Sequence, residues 1–149
     1  MTEDLRGRLH SCRSLAPRAF AALFCLSALV SCSDDVTGSS DLQGGEWRLR
    51  SLQGPDFAVA TVEDPRRFTL DFAEGGRLNV RADCNRCGGT YSMDGSSLRI
   101  SALVCTRVFC PSAPLDTRYV EALEQARSVD RDDQTLRITS QAYRLVFTR

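Results

Sequence analysis

The stretch RFTLDFAEGGRLNV, residues 67–80, decides the fold class of this chain. Apolar and polar residues alternate on both sides of its central Gly-Gly pair. The alternating apolar residues are Phe68, Leu70, Phe72, Leu78 and Val80. A period of two places these side chains on one face of a strand, and glycine pairs are typical of the turn between two strands. The stretch therefore predicts an antiparallel hairpin with one apolar face.

The same alternation recurs along the rest of the chain and predicts seven or more short strands. The further alternating residues are Trp47 and Leu49, Tyr91 and Met93, Leu98 and Ile100, Leu136 and Ile138, and Tyr143, Leu145 and Phe147. Asp94-Gly95 is a strong signal for a two-residue hairpin turn, because glycine accepts a positive φ. The pair Gly88-Gly89, which follows Cys87, is interpreted as a second Gly-rich turn.

One segment has helical rather than alternating spacing. From Thr117 to Arg127 the apolar residues recur every three or four positions, and Asp116 is expected to cap this helix through its side-chain oxygen. The fold class predicted is mostly β. We expect a small, antiparallel, β-barrel-like meander with a single α-helix before the last two strands. The helix would plug one end of the barrel or cover an open edge.

Length and composition exclude several classes of protein. The chain has 149 residues, which is the length of one ordinary domain. Its 19 basic residues balance 19 acidic ones, which excludes a strongly basic nucleic-acid-binding protein, so no nucleic-acid partner is expected. Apolar residues make up 42% of the chain, which excludes a mostly disordered protein.

Residues 1–31 are predicted to be an export signal. Four arginines precede the uncharged run AFAALFCLSALV at residues 19–30, which is too short to cross a bilayer as a helix and has the length of a signal core. The run leads into LVSC at residues 29–32, which resembles a bacterial lipobox. In such proteins the cysteine, here Cys32, carries a diacylglyceryl group through a thioether after the signal is cut. The alternatives are an ordinary secretory signal with a chance cysteine, or a buried helix.

The predicted processing divides the chain into three parts. Residues 32–44 are polar and contain Gly and Ser, so we interpret them as a lipidated flexible tether, and residues 45–149 as the folded domain. Ser33, rather than an Asp, favours sorting to the outer membrane, facing the periplasm. The only histidine, His10, lies in the signal. Its loss excludes histidine-based catalytic triads and histidine metal sites from the processed protein.

Four cysteines remain in the predicted domain, and an exported domain is expected to oxidise them. They are Cys84, Cys87, Cys105 and Cys110. Four cysteines allow three disulfide connectivities, and their positions in the sequence do not choose among them. Two alternatives to disulfides remain. The C-x2-C and C-x4-C spacings also resemble those of a zinc ribbon, and Cys84 with Cys87 would make a redox-active pair.

The order of these elements resembles the META domain family, also called HslJ-like, over about residues 44–149. The resemblance rests on the opening WRL at residue 47, the F-x-L-x-F strand, Cys84-Asn85 followed by G-x-Y, then Thr106-Arg107 with Cys110, the helix YVEALEQA and two closing strands. It implies a small antiparallel β domain with one helix, in bacterial envelope proteins that are often lipidated. Members are linked to heat-shock response and antibiotic tolerance, and no defined biochemical activity is implied.

The resemblance also implies a disulfide pairing. Cys84 and Cys110 match the two cysteine positions typical of the family, and Cys87 with Cys105 would form an additional nested pair. The chain departs from the family pattern at two places. Asp83 stands where Gly is common, and Val108-Phe109 replace the usual Met-small pair before Cys110. These departures concern local turn geometry.

Three neighbours of the cysteines have alternative interpretations. Asn85 next to a bridged cysteine is expected to satisfy backbone groups in a turn rather than to be catalytic. Bridging would also bring Arg86 and Arg107 near each other as an anion or carboxylate site. The simpler interpretation of these two arginines is solvated surface charge.

The sequence leaves three functional hypotheses of different classes. The first is a non-enzymatic, monomeric envelope lipoprotein without cofactor or metal. It would be held to the membrane by lipid on Cys32, would bind a partner protein or a small apolar ligand, and would support tolerance of envelope stress. The second is an inhibitor module that inserts the loop between Cys105 and Cys110 into the cleft of a hydrolase. The third is a thiol oxidoreductase that uses Cys84 and Cys87.

Overall fold

The computed structural model describes residues 42–110 and 115–149. The predicted signal, Cys32 and most of the predicted tether lie outside these residues. No helix within the described ranges is long and apolar enough to cross a membrane. The elements are β1 (Trp47–Gly54), β2 (Phe57–Thr61), β3 (Phe68–Ala73), β4 (Arg77–Ala82), β5 (Asn85–Asp94), β6 (Ser97–Ile100), β7 (Val104–Cys105), α1 (Asp116–Glu124), β8 (Ser128–Arg131), β9 (Thr135–Thr139) and β10 (Arg144–Thr148).

Eight of these strands close into an antiparallel barrel, which confirms the predicted fold class. Their order is β1-β3-β4-β5-β6-β8-β9-β10, and β10 then pairs with β1 from Arg48↔Thr148 to Gln53↔Arg144. Two strands lie outside this ring. Strand β2 pairs with the second half of β1, and β7 pairs with the first half of β5. Closure leaves the eight barrel strands without a long free edge.

The hairpin predicted from residues 67–80 is formed by β3 and β4. Its register runs from Phe68↔Ala82 to Ala73↔Arg77, and the alternating apolar side chains are all buried. Gly75 and Gly76 make the turn with φ of +69° and +72°. Both values lie in the left-handed region, which glycine adopts without a steric cost.

Large side chains fill the interior of the barrel. The bulkiest fully buried ones are Trp47, Tyr119, Phe72, Phe147, Leu49, Leu52, Leu70, Leu78, Leu98, Leu123, Leu136 and Ile138. They come from six of the barrel strands and from α1, and they form one continuous core. The core is closely packed rather than arranged around an open lumen, as expected for small eight-stranded barrels.

Helix α1 lies across one end of the barrel. Of the two predicted arrangements, this is the one in which the helix plugs the end rather than covers an open edge. The Arg118 guanidinium lies 4.7 Å from the ring centroid of Phe57 in β2. Tyr119 packs edge-on against Phe68 at the start of β3, with ring centroids 5.6 Å apart. Glu124 accepts a hydrogen bond from the backbone just before β7. Because these strands lie on different sides of the barrel, the helix spans its opening, and we call this end the helix end.

The boundaries of α1 differ from the prediction. The N-cap residue is Leu115, and Asp116 is the first helical residue, where its carboxylate accepts a hydrogen bond from the Thr117 N–H at 2.7 Å. The helix ends at Glu124 rather than Arg127. Ala126 lies beyond the helix but is fully buried, so the chain leaves the helical path to keep this side chain in the core before β8 begins.

The predicted turn at Gly88-Gly89 is wrong, because both residues lie inside β5. A Cβ on Gly89 would lie 2.7 Å from the Leu103 Cδ2 atom, so the glycine lets the Leu103 side chain pack closely against β5 and does not mark a turn. Nothing lies within 4 Å of the corresponding position on Gly88. The chain turns earlier, at Asp83, which has a φ of 60°.

The end of the predicted tether belongs to the domain. Leu42 is 2% exposed, and its carbonyl accepts a hydrogen bond from Trp47 Nε1 at 3.0 Å. The Arg149 guanidinium donates to the carbonyls of Leu42 and Gln43 and lies 4.1 Å from the centroid of the Trp47 ring. The buried Leu42 side chain and the hydrogen bonds to the two carbonyls hold these residues against the barrel. They lie where β1 begins, at the end opposite to the helix end.

Candidate functional site

Two disulfides attach residues 105–110, here called the tied loop, to the start of β5. Cys84 is bonded to Cys110, and Cys87 to Cys105, which is directly opposite in the register of β5 and β7. This is the pairing that the family resemblance implies. Cys84 and Cys87 therefore hold different partners and are not bonded to each other.

The disulfide arrangement bears on the two alternative roles of these cysteines. A redox-active pair requires exchange between Cys84 and Cys87, whereas each sulfur here is joined to the tied loop. Zinc binding requires free thiolates, and all four sulfurs are paired. Among residues 42–110 and 115–149, no group of three or more His, Cys, Asp or Glu side chains is arranged to hold a metal ion. The geometry is that of two structural clamps.

Asn85 attaches the middle of the tied loop between the two disulfides. Its Oδ1 atom accepts hydrogen bonds from the Val108 N–H at 2.8 Å and from the Thr106 hydroxyl at 3.0 Å. Its Nδ2 atom donates to the Val108 carbonyl at 3.1 Å. The side chain is 8% exposed, so these bonds replace the water that the amide loses on burial. Asn85 thus satisfies backbone groups, as expected, and fixes the conformation of the loop.

The tied loop, together with Val104 just before it in β7, holds apolar side chains out in solvent. Val104 is 81% exposed, Val108 59% and Phe109 87%. These are three of the four large apolar residues exposed in the described part of the chain, and the fourth is Val59 on β2. Contiguous exposed apolar residues on a rigid element are typical of an interaction surface. A loop whose backbone is already held in place loses less conformational entropy on binding than a flexible one.

A groove of about 1020 Å³ lies between the tied loop and α1. Ala82 and Cys87 from the barrel strands are among its lining residues, so part of the lining is apolar. The wall formed by α1 contributes three carboxylates, from Asp116, Glu121 and Glu124, together with Thr117 and Val120. The opposite wall is the tied loop, which contributes Arg107 together with its apolar residues. The groove opens at the helix end of the barrel.

Arg86 and Arg107, the residues of the predicted anion site, are both exposed but have different surroundings. Arg107 lines the groove. Arg86 lies on the outer face of β5, because it alternates with the buried residues Asn85 and Cys87. The simpler interpretation of Arg86, as surface charge, fits its exposed position.

Asp83 holds the turn that leads into β5, at the position where the family commonly has Gly. Its φ of 60° is in the left-handed region, which Asp tolerates better than most side chains. The carboxylate is 2% exposed and accepts a hydrogen bond from Arg67 Nε, and the two groups form an ion pair. Arg81 Nε donates to the Asp83 carbonyl at 3.0 Å. The departure from Gly is thus compatible with the turn and adds a charged anchor to it.

Burial keeps the two tyrosines near α1 neutral. Tyr119 is fully buried, which raises its pKa well above the usual value, and its hydroxyl donates to the Thr69 carbonyl at 3.0 Å. Burial also raises the pKa of Tyr143, and the nearby Glu121 carboxylate raises it further. Neither phenol supplies an ionised group near neutral pH. Tyr119 is a packing residue whose one polar atom is paired inside the core.

The sequence did not reveal the groove, because its shape depends on how the two disulfides hold the tied loop against β5 and on where α1 crosses the barrel. One local signal was available. Val108-Phe109 is an apolar pair between two cysteines, outside any alternating strand or helical stripe. Apolar residues with no place in a periodic pattern are candidates for an exposed contact surface.

Comparisons with known proteins agree with this architecture. The family model described as META domain matches residues 40–149. A protein from Burkholderia xenovorans, solved by NMR, is 20% identical with a TM-score of 0.59, and the match covers 96% of this chain and 97% of that one. A DUF4847 family protein from Bacteroides vulgatus is 16% identical with a TM-score of 0.54, over 74% of this chain and 95% of that one.

A lipocalin-like protein from Bacteroides uniformis is also similar in structure. It is 21% identical with a TM-score of 0.51, and the match covers 73% of this chain and 98% of that one. No curated protein sequence matches the chain. At these identities the solved structures support the fold and carry no information about what this chain binds.

Proposed function

This chain belongs to the META domain family, and from that premise we propose that it is a non-catalytic binding protein of the bacterial cell envelope, anchored by lipid on Cys32. The observation that carries the proposal is the tied loop. Two disulfides and Asn85 hold Val108 and Phe109 in solvent beside a groove of about 1020 Å³. A surface that is ordered before its partner arrives avoids much of the entropy loss of association.

The packing of the barrel favours a partner protein over a small apolar ligand. Trp47, Tyr119 and Phe147 are fully buried inside the barrel, together with nine other large side chains. A lipocalin binds its ligand in an open lumen, which needs space that these side chains occupy. The exposed apolar residues lie instead outside the barrel, on the tied loop, where a second protein would reach them.

The position of the predicted lipid anchor on Cys32 also favours a partner protein. Cys32 precedes Leu42, which enters the barrel at the end opposite to the helix end. Nine residues separate them, and a linker of that length would have an r.m.s. span of about 17 Å, from roughly 5–6 Å per square root of residue number. The lipid would therefore hold the opposite end near the membrane and leave the tied loop facing the periplasm. Binding there is the proposed contribution to tolerance of envelope stress.

A second candidate function rests on one residue. Phe109 is 87% exposed on a loop whose two ends are disulfide-bonded, the arrangement by which a rigid loop enters the cleft of a hydrolase. In this version the partner is an enzyme that attacks the cell envelope, and the chain inhibits it. Inhibition of purified hydrolases by the oxidised protein would distinguish this role from binding to a non-enzymatic partner.

Site-specific photo-crosslinking in living cells tests the proposed binding function. A photoreactive amino acid replaces Val108 in one strain and Val59 in the control strain, since both side chains are 59% exposed but only Val108 lies on the tied loop. We expect a discrete crosslinked protein from Val108 and none, or a different pattern, from Val59. Excess soluble domain should compete for the crosslink. Equal crosslinking at both positions, or none at Val108, contradicts the proposal.

A further inference from the structure

We propose that the groove takes an extended segment of the partner protein, in which basic side chains alternate with apolar ones. The segment would add as a strand to the free edge of β7. This inference rests on the proposed function, since it specifies the chemistry of the partner at the same site. It follows from the hydrogen-bonding pattern of β7, from the charge of the groove and from the apolar residues around it.

The backbone of β7 presents an open edge to the groove. The Thr106 N–H donates to the Arg86 carbonyl at 3.0 Å, so the Thr106 amide points toward β5. Amides alternate in direction along an antiparallel strand, and the N–H and C=O of Cys105 therefore point away from β5. The Leu103 N–H points the same way, and it is bound by the Glu124 carboxylate of α1 at 2.7 Å. The edge that carries Cys105 thus faces α1 across the groove.

A short open strand edge beside a groove is the arrangement used in recognition by strand addition. Backbone hydrogen bonds supply affinity in that mode, and pockets for alternate side chains supply specificity. Here Cys105 would supply one N–H donor and one C=O acceptor, and Val104 is 81% exposed next to them. An extended segment, rather than a helix, is the occupant that can use these backbone groups.

The charge of the groove selects the side chains of the segment. Asp116, Glu121 and Glu124 line the α1 wall, and Arg107 is the one basic residue among the groove-lining residues, so the groove carries a net negative charge. Val120 and Leu103 offer apolar contact in the same groove. A segment with basic residues on one face and apolar residues on the other complements both features.

The test also distinguishes two other possible occupants of the groove, a lipid surface and a second copy of this chain. A lipid surface is disfavoured because the anchor lies before the opposite end of the barrel. A second copy of this chain would have to insert its own tied loop, which contains Arg107 and Val108 but whose Val108 backbone is already bound by Asn85. Vesicle binding or concentration-dependent dimerisation that involves the groove would overturn the inference.

The experiment measures the binding of fluorescent peptides to full-length protein purified from membranes in detergent, with both disulfides intact. The probe is a glycine-flanked Val-Arg-Val-Lys-Val peptide. One control peptide has Glu in place of both basic residues, and a second has alternate backbone amides N-methylated. We expect the basic peptide to bind at least about tenfold more tightly than either control, because the acidic peptide is repelled by the groove and the methylated one cannot complete the strand pairing.

Matched variants assign the binding to the groove. Glu121→Gln should weaken the basic peptide about three- to fivefold, the effect of one exposed charge pair. Glu74→Gln removes an equally exposed carboxylate at the opposite end and should leave the affinity unchanged. Equal binding of the three peptides, or equal effects of the two variants, overturns the inference. If Val108 crosslinks a partner while the peptides do not discriminate, only this inference fails. If Val108 crosslinks no more than Val59, the proposed function itself fails.

Discussion

Replacing Asn85 with Asp tests whether this one amide holds the tied loop. Asn85 Oδ1 accepts from the Val108 N–H and the Thr106 hydroxyl, while Nδ2 donates to the Val108 carbonyl. In Asn85→Asp an oxygen takes the place of Nδ2. An ionised carboxylate then faces the Val108 carbonyl at about the 3.1 Å of the present bond, and two acceptors repel each other. A protonated carboxyl group satisfies all three partners.

The expected loss of unfolding free energy follows from these contacts. Loss of one hydrogen bond costs about 1 kcal/mol net, and leaving the carbonyl and a buried carboxylate without a donor between them adds about 1–2 kcal/mol. We therefore expect Asn85→Asp to lower the free energy of unfolding by about 2–3 kcal/mol at neutral pH. Asn85→Ala loses the three bonds but adds no charge, and exposed loop backbone regains some water, so its loss is about 2 kcal/mol.

The two variants differ in their pH dependence. Because the neutral form of the new carboxyl group fits the site and the ionised form does not, its folded-state pKa lies above the unfolded value of about 3.9. A raised folded-state pKa gives stability that is fully present below the unfolded pKa and is lost as the pH rises through the folded pKa. Asn85→Asp should therefore approach the unmutated protein near pH 3, whereas Asn85→Ala should show a constant loss.

The assay is urea unfolding of the oxidised, soluble chain at a series of pH values. The measured quantity is the difference in unfolding free energy between each variant and the unmutated protein, so that titration of all other groups cancels. With an m-value of about 1–3 kcal/mol/M, the neutral-pH loss for Asn85→Asp lowers the urea midpoint by roughly 1–2 M. A difference that does not change with pH would refute the proposed role of the amide.

Further predictions concern the core, the strand interior and the anchor. Gly89→Ala should destabilise the domain by at most about 1 kcal/mol in urea unfolding, because its Cβ would meet the Leu103 Cδ2 atom at 2.7 Å and that side chain must shift, whereas Gly88→Ala should be nearly neutral. Tyr119→Phe should cost about 1–3 kcal/mol, because a core carbonyl loses its donor, and a thermal midpoint equal to the unmutated one would contradict this. Cys32→Ser should move the protein from the membrane to the soluble fraction, and intact mass of the unmutated protein should report cleavage and lipid together.

Local patterns in the sequence determined the fold class. Alternation placed Trp47 and Leu49 in one strand and Leu136 and Ile138 in another, and all four side chains are buried. These signals work because a strand records its buried face in every second residue. The family resemblance, drawn from the order of such elements, is confirmed by the match over residues 40–149.

Strands that lack an alternating pattern of apolar residues were not predicted. Strand β8, Ser128–Arg131, has a single buried residue, and β7 has only two residues, so neither carries an alternating pattern. Gly88 and Gly89 were interpreted as a turn because glycine usually marks one, yet both lie in β5, and Leu103 packs closely against Gly89. For the short strands and for the two glycines alike, packing against strands that are distant in sequence overrides the local conformational preference of the residues.

The cysteine residues show most clearly what the sequence determines and what only the structure decides. Their number and the export signal indicated oxidation, but three pairings remained equally open from the residues alone. The pairing in the structure depends on β7 lying beside β5, which sets Cys105 opposite Cys87. The groove also depends on tertiary structure, because the two disulfides hold the tied loop against β5 while α1 crosses the helix end of the barrel. The sequence by itself determined which faces are buried, since that information is local, whereas the tertiary structure alone decided which distant segments meet.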